Sequence, residues 1–263
     1  MMNLKKTWTK NRGKSEIITK ENSTCKKVEM DMLRLADGDT KSYREENKEY
    51  ALVILGGSCT VAGDGFAFEN VGKRKTVFDG PATCVYIPAN TPFTVTASGE
   101  AVIAVAKSPS TKVGTPAIIK PEDVIIKNLG KPGWEREAHF ILDERVDAEM
   151  LYIGEAFVKG GQWSSYPPHK HDDDNLPTEA ATEEIYYYEF DKPQGFGIQK
   201  VYTLERDLDE TYTVKSGDFV EIPRGYHPFH VAPGYTNYYL WIMAGKDRGF
   251  YMTTDEDHVW LNA

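Results

Sequence analysis

The sequence of 263 residues contains only three cysteines, Cys25, Cys59 and Cys84. Their odd number and wide spacing argue against a disulfide framework and a cysteine metal site, and such sparse use is typical of a reducing compartment. No apolar run approaches the roughly 20 residues that cross a bilayer. The charged start is not followed by the apolar segment of a secretory signal. We therefore expect a cytoplasmic protein with no membrane partner.

Positive charge is scarcer than negative charge. The chain has 31 Lys and Arg against 40 Asp and Glu, which gives a formal net charge of -9. Non-specific binding of nucleic acid needs a basic face that replaces phosphate counterions, so this function class is excluded. The sequence also lacks a GxGxxG or GxxxxGK segment, and a nucleotide-driven mechanism therefore has no visible binding site.

Long helices are not expected either, because no window longer than about ten residues keeps a 3.6-residue apolar period. The chain instead has 15 Tyr, 11 Phe and 5 Trp, many of them in short segments separated by Gly, Pro, Asn or Asp. Segments of this kind are typical of strands. They cover residues 51–55, 84–87, 93–95, 101–106, 151–158, 185–190, 196–202, 211–214, 219–222 and 238–243. The pattern predicts an all-β sandwich or barrel.

A weak internal repeat divides the chain. Ile87-Pro88 is followed by a short turn and Phe93, and Ile222-Pro223 is followed by a turn one residue longer and Phe229. The repeat predicts two similar β units joined near residues 115–135. We assign an N-terminal extension, a first unit and a second unit to residues 1–19, 20–125 and 126–263.

The two units differ in histidine content. All six histidines lie in the second unit, and Thr91 stands where the repeat places His227. In the segment His169-Lys170-His171, the two histidines share one face if the backbone is extended, so both imidazoles can reach one metal ion. Imidazole is a favoured ligand for Zn, Fe, Mn, Co and Ni. A carboxylate is available at Glu184 and a third imidazole at His227, both at strand ends or turns.

These residues resemble the two motifs of the cupin superfamily. The first is Gly161, seven residues, His169-x-His171 and then a Glu, and the second runs from Gly217 through Pro223 to His227. The resemblance implies two cupin-type double-stranded β-barrels (a bicupin, or RmlC-like jelly roll). It also implies one divalent metal ion per chain, with Zn or Mn preferred, held by His169, His171, Glu184 and His227. The first barrel is expected to hold no metal.

The sequence departs from the cupin pattern in one place. Twelve residues separate His171 from Glu184, where the family has three or four, so Glu179 and Glu183 are alternative carboxylate ligands. Glu184 is preferred because it begins an apolar-aromatic strand that can fix its direction. His230 is the alternative to His227, but on an extended strand its side chain points to the opposite face.

A closer resemblance extends well beyond the ligands. The sequence is similar to the family of 5-deoxy-glucuronate isomerases of bacterial myo-inositol catabolism. The segments that carry the similarity are WSSYPPHKHDDDNLP, EEIYYYEF, QGFGIQKVYT, IPRGYHP and GYTNYYLWIMAG. It implies an aldose-ketose isomerase that converts 5-deoxy-D-glucuronate, a small uronic-acid-type substrate, to 2-deoxy-5-keto-D-gluconate. The proton moves between adjacent carbons through an enediolate, whose charge a divalent metal stabilises as a Lewis acid.

Strand parity supplies candidates for the remaining roles. If Glu184 points into the barrel, Tyr186 and Tyr188 do so as well. Tyr186 is the first choice for an acid-base group. Tyr188 either contacts the substrate or only lines the barrel.

Three further residues are candidates with open alternatives. Gln199 and Lys200 lie on opposite faces of one strand, and the sequence leaves open which faces inward; Gln199 could bind the substrate and Lys200 could act as an acid-base group. Arg224 could pair with the substrate carboxylate or be an exposed turn residue.

Three other functions remain open. They are isomerisation of 4-deoxy-5-keto-uronate in pectin breakdown, a metal-dependent cupin dioxygenase, and a non-enzymatic sugar-binding or storage bicupin. The complete ligand set argues against the last. A homo-oligomer is expected because bicupin edge strands commonly pair between subunits.

Overall fold

The computed structural model of the protein describes residues 3–262 and consists almost entirely of antiparallel strands. The all-β prediction is therefore confirmed. Two short 3-10 helices occupy Pro121–Asp123 and Glu256–Asn262. Within the described residues, neither helix has the length and apolar character needed to cross a membrane. Met1, Met2 and Ala263, which belong to the predicted extension and second unit, lie outside the described residues.

The first half of the chain forms one eight-stranded sheet. Its strands are β2 (Gly13–Ile18), β3 (Glu29–Leu35), β4 (Thr40–Tyr43), β5 (Lys48–Gly63), β6 (Phe66–Val71), β7 (Cys84–Ile87), β8 (Phe93–Pro109) and β9 (Ala117–Ile119). The main order is β2-β3-β8-β5-β7-β9, with β4 on β8 and β6 on β5. Residues 93–95 and 101–106, predicted as separate strands, belong to the single strand β8, because β8 pairs with β5 along its whole length across two bulges.

The second half forms three sheets. Its strands, with one from the N-terminus, are β1 (Lys5–Thr7), β10 (Ile125–Leu129), β11 (Arg136–Leu142), β12 (Leu151–Lys159), β13 (Trp163–Ser164), β14 (His169–Lys170), β15 (Thr182–Phe190), β16 (Gly197–Tyr202), β17 (Asp209–Val214), β18 (Asp218–Ile222), β19 (Phe229–Val231), β20 (Thr236–Gly245) and β21 (Thr253–Thr254). Seven strands pair in the order β1-β18-β15-β20-β12-β11-β10, four as β13-β19-β16-β17, and β14 pairs with β21.

The N-terminal segment joins both halves. Strand β1 pairs with β18 of the second half, where the Thr7 hydroxyl donates to Asp218 Oδ1 at 2.6 Å. Strand β2 pairs with β3 of the first half. Residues that the sequence analysis assigned to an extension therefore contribute a strand to each β unit.

Three apolar clusters form the core. One fills the interior of the first half with aliphatic residues such as Leu52, Ile54 and Val85. A second lies between the seven-stranded and four-stranded sheets and includes Tyr186 and Trp241. The third combines residues of both halves along their contact. On β15, alternate residues therefore point either into the second barrel or towards the first half, as the period of a strand requires.

Candidate metal centre and cavity

Three buried side chains of the second barrel converge on one point. The ligand atoms of His171, Glu184 and His227 all lie within 4.8 Å of one another. Nε2 of His171 is 3.1 Å from Glu184 Oε2, and Nε2 of His227 is 3.3 Å from the same oxygen. Two imidazole nitrogens and a carboxylate at these separations form a possible metal site.

Strand pairing places Glu184 at this point. Within β15, Glu184 lies opposite Ile222 of β18 on one side and Met243 of β20 on the other. A residue fixed between two neighbouring strands has its side-chain direction set by the sheet. The carboxylate therefore points into the second barrel, which is the condition that the parity argument for Tyr186 and Tyr188 assumed.

The turn after β18 places His227. Gly225 adopts a φ of +92°, and a Cβ there would lie 2.5 Å from the carbonyl oxygen of Tyr202, so only glycine fits. The Gly225 N–H donates to Asp172 Oδ1 at 2.8 Å, which ties this turn to the chain just after His171. The acidic segment that follows His171 thus holds two ligand segments together.

The proton positions on the histidines suit metal binding. Backbone carbonyls of Thr182, Gly225 and Pro167 accept from Nδ1 of His171, His227 and His169 at 2.8, 3.0 and 3.2 Å. Because a carbonyl only accepts, each Nδ1 carries a proton, so in the neutral ring each Nε2 keeps its lone pair, the usual arrangement of metal-bound histidine. Among the described residues, the buried Nε2 of His227 has no hydrogen-bond partner. The residues therefore fit a bound cation.

His169 lies beside this group without being one of its three members. Its ring is 4.8 Å from that of His227, centroid to centroid, and the rings are nearly perpendicular. Burial lowers the pKa of His169 and of His227 to about 3. Burial also acts to lower the pKa of His171, but the hydrogen bond to Glu184 and its negative charge outweigh burial and raise that pKa.

The alternative ligands point elsewhere. Glu179 accepts the backbone N–H of Asp172 at 2.6 Å, and Glu183 accepts that of Lys27 at 2.6 Å. Both carboxylates therefore support loops. The ring of His230 packs on Trp163, with centroids 4.9 Å apart.

The ligand group opens into a cavity of about 610 Å³. Aromatic and charged side chains of β10, β11, β12, β15 and β20 line it, and residues 249–252 of the C-terminal segment cover one side. Its lining includes His169, His171 and Glu184 together with Lys127, Arg136, Ser165, Tyr186, Tyr239, Trp241 and Arg248. Such a volume suits a small ligand.

Tyr186 lies on the cavity wall next to the ligands. Its hydroxyl is 2.7 Å from Ser165 Oγ, and its ring centroid is 5.9 Å from that of His227. Burial raises the pKa of Tyr186 well above its usual range, so the hydroxyl keeps its proton. It can therefore donate a proton or a hydrogen bond to an oxygen bound in the cavity.

Tyr188 and Gln199 form a buried support behind the ligands. The Tyr188 hydroxyl donates to Gln199 Oε1 at 2.7 Å, and Gln199 Nε2 donates to the carbonyl oxygen of His227 at 2.8 Å. Both side chains hold the His227 turn, and neither belongs to the cavity lining. Their contacts indicate that Tyr188 and Gln199 position His227, a candidate metal ligand, and do not contact a substrate directly.

Lys200 and Arg224 do not join the cluster. Lys200 Nζ pairs with Asp209 at 2.5 Å, and Arg224 pairs with Asp207 at 2.7 Å, both in solvent-accessible positions. Lys200 faces outward because its neighbour Gln199 is the inward residue, and the two lie on opposite faces of β16. Neither side chain belongs to the cavity lining, which is the exposed alternative that the sequence left open for Arg224.

Sequence reasoning missed Arg136, Ser165 and Tyr239. The Tyr239 hydroxyl forms a hydrogen bond of 2.7 Å with Ser164 Oγ, in which either group can be the donor. Its ring centroid lies 4.6 Å from that of Tyr186. Arg136 lies in β11, a strand that was not predicted because charged residues interrupt its apolar pattern. Arg136, Ala138 and Phe140 are spaced two residues apart, and this spacing could have predicted a strand with all three side chains on one face.

Comparison with known proteins gives the following likenesses. A family model described as "KduI/IolB family" matches residues 3–261. The chain is 43% identical over 246 residues to a 5-deoxy-glucuronate isomerase of Bacillus licheniformis, covering 93% of this chain and 91% of that protein. The crystal structure of an IolB-like protein from Salmonella typhimurium LT2 matches with a TM-score of 0.95 and 35% identity, over 99% of this chain and 100% of the other.

A more distant likeness concerns the fold alone. Oxalate decarboxylase of Lactobacillus farciminis matches with a TM-score of 0.70 and 12% identity, over 97% of this chain and 89% of the other. Oxalate decarboxylases are bicupins, so the predicted fold of two cupin barrels is confirmed.

Proposed function

The chain belongs to the KduI/IolB family, and from this premise we propose that it catalyses the aldose-ketose isomerisation of 5-deoxy-D-glucuronate. The observation that carries the proposal is the convergence of three buried ligands at a cavity of small-molecule size, in a chain 43% identical to an isomerase of that name. The product is the ketose acid 2-deoxy-5-keto-D-gluconate. Such a reaction moves one proton between adjacent carbons and consumes no oxidant.

The proposed metal centre is one divalent ion, Zn or Mn, held by His171, Glu184 and His227 with His169 as fourth ligand. Support comes from the convergent Nε2 lone pairs and from the unpartnered, buried Nε2 of His227. When bound, the ion supplies the Lewis-acid charge that polarises vicinal oxygens of a sugar. The Nδ1 hydrogen bonds to backbone carbonyls fix the imidazole orientations before binding.

Tyr186 is the proposed proton donor to a substrate oxygen. Its buried hydroxyl, oriented by Ser165 at 2.7 Å, keeps its proton because burial raises its pKa. Tyr239 and Trp241 add aromatic surface to the cavity wall. Lys200 and Arg224 are left out of the proposal because their side chains form exposed ion pairs.

The test is direct conversion under anaerobic conditions. Purified, metal-loaded protein is mixed with 5-deoxy-D-glucuronate, and ketose formation is followed with 4-deoxy-5-keto-uronate as the competing substrate. Isomerisation of the first compound without oxygen supports the proposal, and preference for the second assigns the pectin-type reaction. Activity only with oxygen indicates a dioxygenase. A cytoplasmic location and a homo-oligomer remain predictions.

A further inference from the structure

One cation on the cavity wall lacks a counter-ion. Arg136 begins β11 and lines the cavity with Ala138 and Phe140 of the same strand face. Its side chain is only half-buried, and within residues 3–262 its guanidinium has no hydrogen bond or ion pair. A half-buried guanidinium without a counter-ion keeps only part of its hydration, so it favours an anion there.

Arg248 and the acidic residues Asp143 and Glu144 of the lining are already engaged. Arg248 donates to the backbone carbonyls of Leu151, Val146, Ala148 and Asp143 at 2.5 to 3.2 Å. On the acidic side, Asp143 is paired with Arg145 at 2.8 Å, and Glu144 accepts the hydroxyl of Tyr152 at 3.3 Å. Arg136 is therefore the arginine of the lining that is free to bind a ligand.

Lys127 stands next to Arg136 on the neighbouring strand. In the β10–β11 ladder Lys127 lies opposite Ala138, two residues from Arg136, so the two cations are diagonal neighbours on one face. The Lys127 ammonium lies 5.0 Å above the Phe140 ring in an exposed position. It adds positive potential at the same end of the cavity.

Arg136 is connected to the ligand group through aromatic residues. Arg136 and Tyr239 line the same cavity. The Tyr239 ring packs on Tyr186, and the Tyr186 ring is 5.9 Å from that of His227. The cavity therefore has buried metal-type ligands in one region and an unpaired guanidinium in another.

We propose that Arg136 binds the carboxylate of the substrate and sets the specificity for uronic acids over neutral sugars. This inference rests on the proposed function, in which the aldehyde and its neighbouring hydroxyl lie at His171, Glu184 and His227. In a six-carbon uronic acid the carboxylate is at the opposite end of the chain from the aldehyde. The planar guanidinium can hold it with two parallel N–H···O bonds, a geometry that an ammonium cannot reproduce.

The test separates binding from turnover. Arg136→Gln is expected to raise KM for 5-deoxy-D-glucuronate by about 10- to 100-fold, the order for losing a charged hydrogen-bonded contact, while kcat changes less than about 5-fold. Arg136→Lys should give an intermediate KM. Arg12→Gln, which removes an exposed arginine paired with Asp39 in the first half, is the matched control and should leave KM unchanged.

Specificity gives a second readout. The neutral analogue with a hydroxymethyl group in place of the carboxylate should be a poor substrate for the wild type, and Arg136→Gln should abolish most of this discrimination. A variant that keeps the wild-type KM and the wild-type preference for the acid would overturn the inference. If Arg136→Gln does not fold, the same two measurements are made on Arg136→Lys, which keeps the positive charge but cannot form two parallel hydrogen bonds to a carboxylate.

Calorimetric binding distinguishes failure of this inference from failure of the proposed function. D-glucuronate is titrated into metal-loaded wild type, Arg136→Gln and Arg12→Gln, with metal content checked in each. Weaker binding only in Arg136→Gln supports a carboxylate site even if no isomerisation is found. Equal binding in all three, with active wild-type enzyme, refutes the role of Arg136 and leaves the isomerase proposal intact.

Discussion

The two barrels place different chemistry at equivalent positions of the same sheet. In the second barrel, Glu184 pairs with Ile222, which precedes Pro223, and with Met243 on its other side. In the first barrel, the residue paired with Ile87, which precedes Pro88, is Tyr50, and its other partner is Lys107. Tyr50 thus replaces the candidate ligand Glu184, and Lys107 replaces Met243.

Lys107 gives the first barrel an internal cation of its own. Its ammonium is buried and donates to the buried Asp31 Oδ1 at 3.1 Å. Leu52 and Ile54 stand at the positions of Tyr186 and Tyr188, and both are completely buried in an aliphatic core. One barrel therefore satisfies its buried carboxylate with a lysine, whereas the other gathers imidazoles and a carboxylate beside an open cavity. Two barrels with equivalent strands can therefore enclose either a packed apolar core or a candidate metal site, depending on a few interior side chains.

The largest expected effect is loss of the metal ligands of the second barrel. His171→Ala should release the bound ion and lower isomerase activity by at least about 1,000-fold, because Lewis-acid stabilisation contributes several kcal/mol to the transition state. Elemental analysis and kinetics measure the two effects. Tyr50→Phe is the matched change in the first barrel and should alter neither; full metal retention in His171→Ala would contradict the assignment.

Tyr186→Phe sharpens the comparison within the second barrel. Removing the hydroxyl should lower kcat by about 100-fold, the usual order for an acid-base group, while the metal stays bound. The structure supports this because the hydroxyl lies 2.7 Å from Ser165 on the cavity wall. Tyr188→Phe is the control, since its hydroxyl contacts Gln199 outside the lining. Equal kcat in wild type and Tyr186→Phe would reduce Tyr186 to a wall residue.

A swap at the equivalent position tests the first barrel. Lys107→Met introduces the residue found in the second barrel. Among the residues that the structure describes, it leaves buried Asp31 with Lys14, 3.2 Å away, as its only cation. Breaking a buried pair costs about 3 kcal/mol of unfolding free energy, measurable by denaturant unfolding. The folded fraction should retain full kcat and metal. Adding Asp31→Leu should recover part of the loss, and no recovery would show that the charge pair was not its cause.

The smallest expected effect concerns the contact between the barrels. Arg74 of the first half pairs with the buried Glu155 of the second half, and His139 lies beside Glu155, with its Nε2 2.8 Å from Glu137. Burial acts to lower the pKa of His139, but the neighbouring carboxylates of Glu155 and Glu137 outweigh it and raise that pKa. A histidine whose pKa is higher in the folded state than in the unfolded state stabilises the fold when it is protonated. This stabilisation is complete at pH values below the unfolded-state pKa of about 6.5, and it is lost as the pH rises through the folded-state pKa.

The unfolding free energy of wild type should therefore exceed that of His139→Gln by more at pH 6 than at pH 9. The difference should stay below about 1 kcal/mol, because Glu155 is 3.8 Å from His139 and already paired with Arg74, and Glu137 is exposed so that solvent screens its charge. Denaturant titrations of both proteins at the two pH values provide the measurement. A gap that widens with increasing pH would reverse the sign and reject the role assigned to His139.

The candidate ligands could be predicted from the sequence because their spacing is local. His169-x-His171, the aromatic strand that carries Glu184 and the turn at His227 each combine a chemical group with a recognisable local conformation. The period of two along a strand also grouped Glu184, Tyr186 and Tyr188 on one face. The buried positions of these three residues agree with that grouping.

Tertiary structure decided which face of each strand lies inside. Gln199 and Lys200 alternate by the same rule, but only the pairing of β16 with β17 and β19 determines that Gln199 is buried and Lys200 faces Asp209. Arg136 turns into the cavity and Arg224 out of it for the same reason. Local sequence fixes the alternation of side chains, whereas the direction of the core depends on strands distant in the chain. The candidate ligands could therefore be predicted from the sequence, whereas the position of Arg136 in the cavity lining was determined only by long-range strand pairing.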